Sequence, residues 1–147
     1  MTAAPAAVHE AVAAALADSE QRYTAGRRSL VDVLAAAGRP LSIAEVVGRS
    51  ASMPQSSVYR NLAVLTQAGA VRRVASADER ARFELAEALT EHHHHLVCVG
   101  CGTVDDYTPP MAVERSVVRA IVAVTASTGF QPQGHRLDVL GLCERCA

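Results

Sequence analysis

Two cysteine pairs and a run of histidines restrict this chain more than anything else in it. Glu91 to Cys101 reads E-H-H-H-H-L-V-C-V-G-C, and a second C-x-x-C, Cys143 and Cys146, lies near the C-terminus. The 147 residues hold no other cysteine. One C-x-x-C alone also fits a redox pair. Two of them present soft thiolates from two tight turns, which suits tetrahedral zinc. Cys98, Cys101, Cys143 and Cys146 therefore read as a structural four-cysteine site. Gly102 follows Cys101 and supplies the backbone freedom such a turn needs. The pairs stand further apart than in a compact zinc ribbon, so the metal would pin a chain end back onto a small domain.

Length admits one ordinary domain or two small ones. Half of the residues are apolar, but aromatics make up 3%, so the core is built from small side chains. No apolar run reaches membrane-spanning length. The alanine-rich start lacks the basic leader of a signal peptide and contains His9 and Glu10. A cytoplasmic protein with reduced thiols and no membrane partner is expected. The net charge of −1 hides an asymmetry. From Arg22 to Arg82, ten arginines face four acids, a balance of +6, whereas elsewhere four arginines face eleven acids, a balance of −7. Such a split points to one part that meets a polyanion and another that does not.

In the first half, residues 7–21 read as a modestly amphipathic helix, with Val8, Val12 and Leu16 on one stripe. A second helix opens at Thr24, a good N-cap, carries Leu30, Val31 and Leu34 inward and ends at Gly38. Ser42-Ile-Ala-Glu45 matches a capping box that starts a short third helix. Ser52-Met-Pro-Gln55 matches another, which opens a fourth helix with Val58, Leu62 and Leu65 on one face. Short helix, tight turn and longer helix make a helix-turn-helix pattern. Its outward positions, Gln55, Ser56, Tyr59 and Arg60, suit contact with bases or phosphates. Residues 70–74 and 81–85 read as a hairpin, a wing that places Arg72, Arg73, Arg80 and Arg82 to meet phosphate.

The second half opens after a short hinge, residues 86–90. Residues 91–99 read as a strand, so His92 and His94 face one way and His93 and His95 the other. One histidine run can then serve two separate metal sites. Residues 103–107 read as a partner strand. A helix follows with Val113, Val117, Ile121 and Val124 inward and Gly129 as its stop. Residues 135–142 read as a last strand. The fold class expected is α/β in the α+β sense, with valine-rich surfaces suited to pairing with a second copy.

Together these motifs resemble the ferric uptake regulator family. Arg22-x-Thr24-x-x-Arg27 is similar to the family's entry into its DNA-binding domain, and Ser57-Val-Tyr59-Arg60-x-Leu62 to the core of its recognition helix. Phe83-Glu-Leu85 sits where the wing leads to the hinge, and His92 to Cys101 with Cys143 and Cys146 resembles the metal-binding domain. The resemblance implies an N-terminal winged helix-turn-helix domain (residues 1–85), a hinge, and a small α/β metal-binding dimerisation domain (residues 91–147). It also implies a homodimer that binds palindromic double-stranded operators when loaded with metal. Carried over by position, Cys98, Cys101, Cys143 and Cys146 hold structural zinc. His92, His94, Glu114 and His135 form a second metal site, and Glu84, His93, His95 and Asp106 form the regulatory one. Where many iron-type members have a histidine entering the third helix, this chain has Pro40 or Leu41. Where zinc-sensing actinobacterial members have an aspartate after the recognition helix and a cysteine at the wing's end, it has Arg72 and Ala86.

Imidazole with carboxylate accepts zinc, ferrous iron, manganese or nickel, and affinity order does not choose among them. Zinc is the first expectation for the regulatory ion and iron the second, with an iron-based peroxide sensor as a variant. Two readings of another class remain: a zinc hydrolase, for which no H-E-x-x-H or nucleophile motif is present, and a metal-storage or chaperone protein. The regulator reading expects neither catalysis nor a small-molecule substrate.

Overall fold

The structure, a computed structural model, describes residues 3–147. Helix α1 (Ala6–Asp18) buries Val12 and Leu16, and with them His9. His9 lies 2.6 Å from the Tyr23 hydroxyl and 3.1 Å from Asp32, so a polar latch seats this helix. Helix α2 (Ala25–Ala37) starts where Thr24 Oγ1 accepts from the Arg27 N–H and stops at Gly38, whose φ of 60° only glycine adopts freely. A two-residue strand, β1 (Leu41–Ser42), leads into α3 (Ile43–Arg49). The expected capping box is present there: Ser42 Oγ accepts from the Glu45 N–H at 3.3 Å, and Glu45 Oε2 from the Ser42 N–H at 2.8 Å. Burial alone would raise the Glu45 carboxyl. The Arg39 guanidinium at 2.6 Å and the Ser42 donors outweigh that and hold it at about 2. Ser42→Ala removes one half of the box and should lower stability by about 1 kcal/mol. A denaturant midpoint unmoved by the substitution would assign the stabilisation to Arg39 instead.

Helix α4 (Gln55–Gln67) departs from expectation at its start. Pro54 is its N-cap, no side chain caps it, and Ser52 lies outside the helix. The reason is local: the residue before a proline is driven out of the helical region, so Met53 cannot belong to a first turn. Strands β2 (Val71–Val74) and β3 (Arg82–Leu85) form the expected hairpin, and β1 adds to it in the order β1-β3-β2. The core of this half joins Leu16, Leu30, Val46, Val58, Leu62 and Leu65.

A 3-10 turn (Glu87–Leu89) fills the expected hinge. Beyond it a second sheet forms from β4 (His94–Cys98), β5 (Val104–Tyr107) and β6 (Asp138–Gly141), in the order β5-β4-β6. Strands β4 and β5 are antiparallel, while β6 returns parallel to β4 after helix α5 (Met111–Thr125). That helix does not turn Val113, Val117, Ile121 and Val124 into a core. None of its residues is buried, and Val124 is 74% exposed. It also ends four residues before Gly129, whose φ of 70° falls in the following loop. Three short strands and one helix have too little apolar surface to enclose a core of their own. The two halves touch at the wing. Val74 of β2 packs with Val97 and Val104, and a Cβ added to Gly102 would lie 2.5 Å from Asp78 Cγ. Among the described residues, no helix is long and apolar enough to cross a membrane.

Candidate metal centres and nucleic-acid surface

The four cysteines converge. Cys98 ends β4, Cys101 lies in the turn after it, and Cys143 and Cys146 follow β6, which the parallel pairing of Cys98 with Gly141 brings alongside. Their sulfurs all lie within 4.8 Å of one another, with Cys101 and Cys143 at 3.8 Å. Zinc arms of about 2.3 Å in a tetrahedron put sulfurs about 3.8 Å apart, so the set fits that ion. The Cys143 N–H, donating at 3.3 Å, and the Cys101 amide pull the Cys98 thiol down to about 6. Thr103 lowers Cys101, while hydrogen bonds to Cys143, Cys101 and Cys98 push Cys146 up to about 12. Without a cation the crowding of sulfurs around Cys146 therefore favours its protonated thiol. A divalent ion removes that conflict.

Strand register builds the second centre from residues far apart in sequence. His95 stands opposite Asp106 on β5, and Glu84 stands opposite Arg72 in the wing. Residues paired across a ladder share a face, so His95 and Asp106 point together, with His93 just before the strand on the same side. Glu84 Oε2 lies 3.3 Å from His93 Nε2, and Glu84 Oε1 lies 3.2 Å from His95 Nε2. Asp106 Oδ1 lies 3.8 Å from both ring nitrogens and has no hydrogen-bond partner although it is buried. Ligand arms of about 2.1 Å in a tetrahedron separate donors by about 3.4 Å, and this set fits a small divalent ion. Burial alone would raise Glu84, but the bonds from His95 and Arg72 hold it below the usual carboxylate range. Burial alone would lower His95, and Glu84, Asp138 and Asp106 outweigh it and raise the imidazole. Asp106 is raised by burial and by the Glu84 charge. A cleft of about 370 Å³, lined by Leu34, Arg39, Glu84, His93 and Asp106, opens onto the cluster, so an ion has a path in.

On the opposite face lies the third centre, His92, His94, Glu114 and His135. Glu114 comes from the first turn of α5 and His135 from the loop before β6. Glu114 accepts from His94 Nε2 at 2.9 Å. The Nε2 atoms of His92 and His135 lie 3.2 and 2.8 Å from Glu114 Oε1, yet neither is angled to hydrogen-bond. Buried ring nitrogens gathered within 4.8 Å, two of them without a hydrogen-bond partner, suit ligation.

The helix-turn-helix side chains fare unevenly. Gln55, Ser56, Tyr59 and Arg60 are exposed on α4, and Ser57 is half-buried beside Arg60. Arg22 and Arg73 are also exposed, with the Arg73 guanidinium 6.0 Å from the Phe83 ring centre. Thr24 caps α2, and Arg27 bonds Asn61, Gln21 and the Arg22 carbonyl, so both organise the domain from within. Arg72 is a correction. Its guanidinium points inward to Glu84 and Glu87, because Glu84 faces it across the ladder, and it is not presented to phosphate. Arg82 is likewise buried, paired with Glu45 at 3.5 Å and Asp78 at 3.2 Å. Sequence reasoning missed two carboxylates. Asp138 lies 3.2 Å from His95 Nδ1, and Glu87 bonds His92 Nδ1. Each contacts the histidine nitrogen turned away from its cluster, where an acceptor fixes the ring's tautomer.

Known proteins share both the sequence pattern and the fold of this chain. A sequence model of the ferric uptake regulator family matches residues 18–140. The peroxide operon regulator of Bacillus subtilis is 32% identical over 100 residues, covering 68% of this chain and 63% of that protein. The ferric uptake regulation protein of the same organism is 31% identical over 100 residues, covering 67% and 63%. The chain thus spans about 63% of the length of these curated relatives. The solved ferric uptake regulator of Vibrio cholerae superposes with a TM-score of 0.67 at 27% identity, covering 88% of this chain and 98% of that one. On the family match, the relatives and the shared fold, this chain belongs to the ferric uptake regulator family.

Proposed function

We propose that this chain is a metal-responsive transcriptional repressor that binds a palindromic DNA operator as a homodimer when a divalent ion fills the cluster of Glu84, His93, His95 and Asp106. The observation that carries this reading is the span of that cluster. Glu84 belongs to the wing's last strand, whereas His95 and Asp106 belong to the second sheet and His93 directly precedes it. Residues 1–85 read as the DNA-binding domain and residues 91–147 as the dimerisation domain, joined by residues 86–90. When all four side chains share one ion, the angle between the halves is set. Both α4 helices of a dimer then reach successive major grooves together. Without that shared ligand the hinge samples many angles, and apparent affinity falls with the competent fraction.

Zinc is proposed at the four cysteines. At the regulatory cluster zinc is the first choice and ferrous iron the second, with manganese and nickel also compatible with nitrogen and oxygen donors. The similarity to a peroxide operon regulator keeps a peroxide-sensing variant beside this reading, in which iron would be held by His93 and His95. Helix α5 and strand β6 expose Met111, Val122, Val124, Val139 and Leu140, a surface suited to a second copy. Selection of duplexes from a random pool, then titration with zinc, iron, manganese and nickel against chelator, tests the reading. A chain whose duplex affinity ignores chelation overturns it.

Acid should weaken the response. Protons and metal compete for His95, whose affinity for the proton is raised above the ordinary value of 6.5. As pH falls through that raised value the imidazole protonates, and regulatory-metal affinity should drop about tenfold per unit for one proton displaced. Chelator competition from pH 8.5 downward measures the slope. A flat profile would remove His95 from the ligand set.

A further inference from the structure

The two histidine–carboxylate clusters are not independent. Arg72 Nε donates to Glu84 in the regulatory cluster, and Arg72 Nη1 lies 3.7 Å from Glu87 Oε2. The other Glu87 oxygen bonds His92 Nδ1, and His92 Nε2 faces Glu114 in the second cluster at 3.2 Å. One guanidinium, 16% exposed, is thus shared between two carboxylates that belong to different sites. Register accounts for half of this arrangement, since Arg72 sits opposite Glu84 in the wing ladder. The 3-10 turn accounts for the rest by bringing Glu87 back over the same guanidinium.

We propose that Arg72 competes with the metal for Glu84 and, through Glu87, makes the two clusters antagonistic, so that an ion in either lowers the affinity of the other. This inference rests on the reading that both clusters bind metal. Glu84 is buried and anionic, and in the absence of an ion it takes its counter-charge from Arg72. Once its oxygens turn to a divalent ion, the attraction for Arg72 is lost and like charge repels the guanidinium. The nearest other carboxylate is Glu87. A Glu87 held by Arg72 is a poorer acceptor for the His92 Nδ1–H, which leaves His92 Nε2 a weaker ligand.

The reverse path has the same sign. With His92 Nε2 ligated, its Nδ1–H becomes more acidic and holds Glu87, so Arg72 stays on Glu84 and opposes the regulatory ion. Linkage requires the two effects to be equal. Plain repulsion between two ions has the same direction but does not need Arg72, and this is what substitutions separate.

Zinc affinity is measured by competition with a chromogenic chelator on full-length protein whose cysteine site stays filled. His135→Ala isolates the regulatory cluster, His93→Ala isolates the second, and the unsubstituted chain reports their coupling. The antagonism expected is about tenfold, within the usual range for coupled sites. In Arg72→Gln the regulatory cluster should tighten about tenfold and the coupling shrink toward one, whereas Arg72→Lys, which keeps the charge, should retain most of it. Glu87→Gln should also abolish coupling, but by weakening the second cluster while leaving the regulatory one within about twofold. Coupling unchanged in Arg72→Gln, a regulatory cluster that loosens there, or cooperative filling in the unsubstituted chain would each overturn the inference alone. A regulatory cluster that takes no zinc in His135→Ala, and no iron, manganese or nickel, would overturn the proposed function and the inference with it.

Discussion

Replacing Cys98 with serine is expected to remove one tightly held zinc per chain and, with it, the folded C-terminal half. Cys98 is the most buried of the four cysteines and the one that receives the Cys143 N–H. Serine keeps the size but offers no soft thiolate. Structural zinc contributes on the order of 10 kcal/mol or more to folding, comparable with the whole stability of a small domain. The second sheet has almost nothing else to rely on: its buried apolar cluster, Val74, Val97 and Val104, is small and even borrows one member from the wing. Metal analysis should find the stoichiometry reduced by one, light scattering should find the dimer lost, and circular dichroism should lose part of its strand and helix signal. A zinc-deficient variant that remained a folded dimer would move the structural role elsewhere.

His93→Ala should have a different consequence of comparable size. The ring is well covered, lies 3.3 Å from Glu84 and 3.8 Å from Asp106, and belongs to no apolar core. Its removal takes one of four proposed ligands from the regulatory cluster without touching the cysteines. Operator affinity in saturating metal should fall about tenfold to thousandfold, or about 1.4 to 4 kcal/mol of coupling. Dimer mass and the stability of the metal-free protein should change little. The pair of variants is diagnostic: if both lost the dimer, or both kept the metal response, the division into one structural and one regulatory centre would fail.

Most of the fold was legible because it is local. The alternation of His92 to His95 assigned the right histidine to each cluster, since side-chain direction in an extended chain needs only sequence spacing. Thr24, Gly38 and the Ser42–Glu45 box marked helix ends through contacts three residues long. What escaped notice depends on pairing between distant segments. Strand β1 is two residues long, too short to show any period. Asp138 reaches His95 only through the parallel register of β6 on β4, and Glu87 reaches His92 only because the hinge winds into a 3-10 turn. The same cause misplaced Arg72: an arginine in a wing looks free until the strand opposite supplies a carboxylate. The apolar stripe of α5 misled in another way. Periodicity shows that a face exists and not which chain covers it.

The wing's turn leans on the cysteine knuckle so closely that Gly102 has no room for a methyl group beside Asp78, and the same Asp78 holds Arg82 at 3.2 Å. Glycine at this point works as a hinge-stop, letting the reading arm come to rest against the stapled end of its own chain. If the four cysteines hold an ion as proposed, an oxidant or a chelator acting there would also disturb the wing's turn, which lies directly against the knuckle.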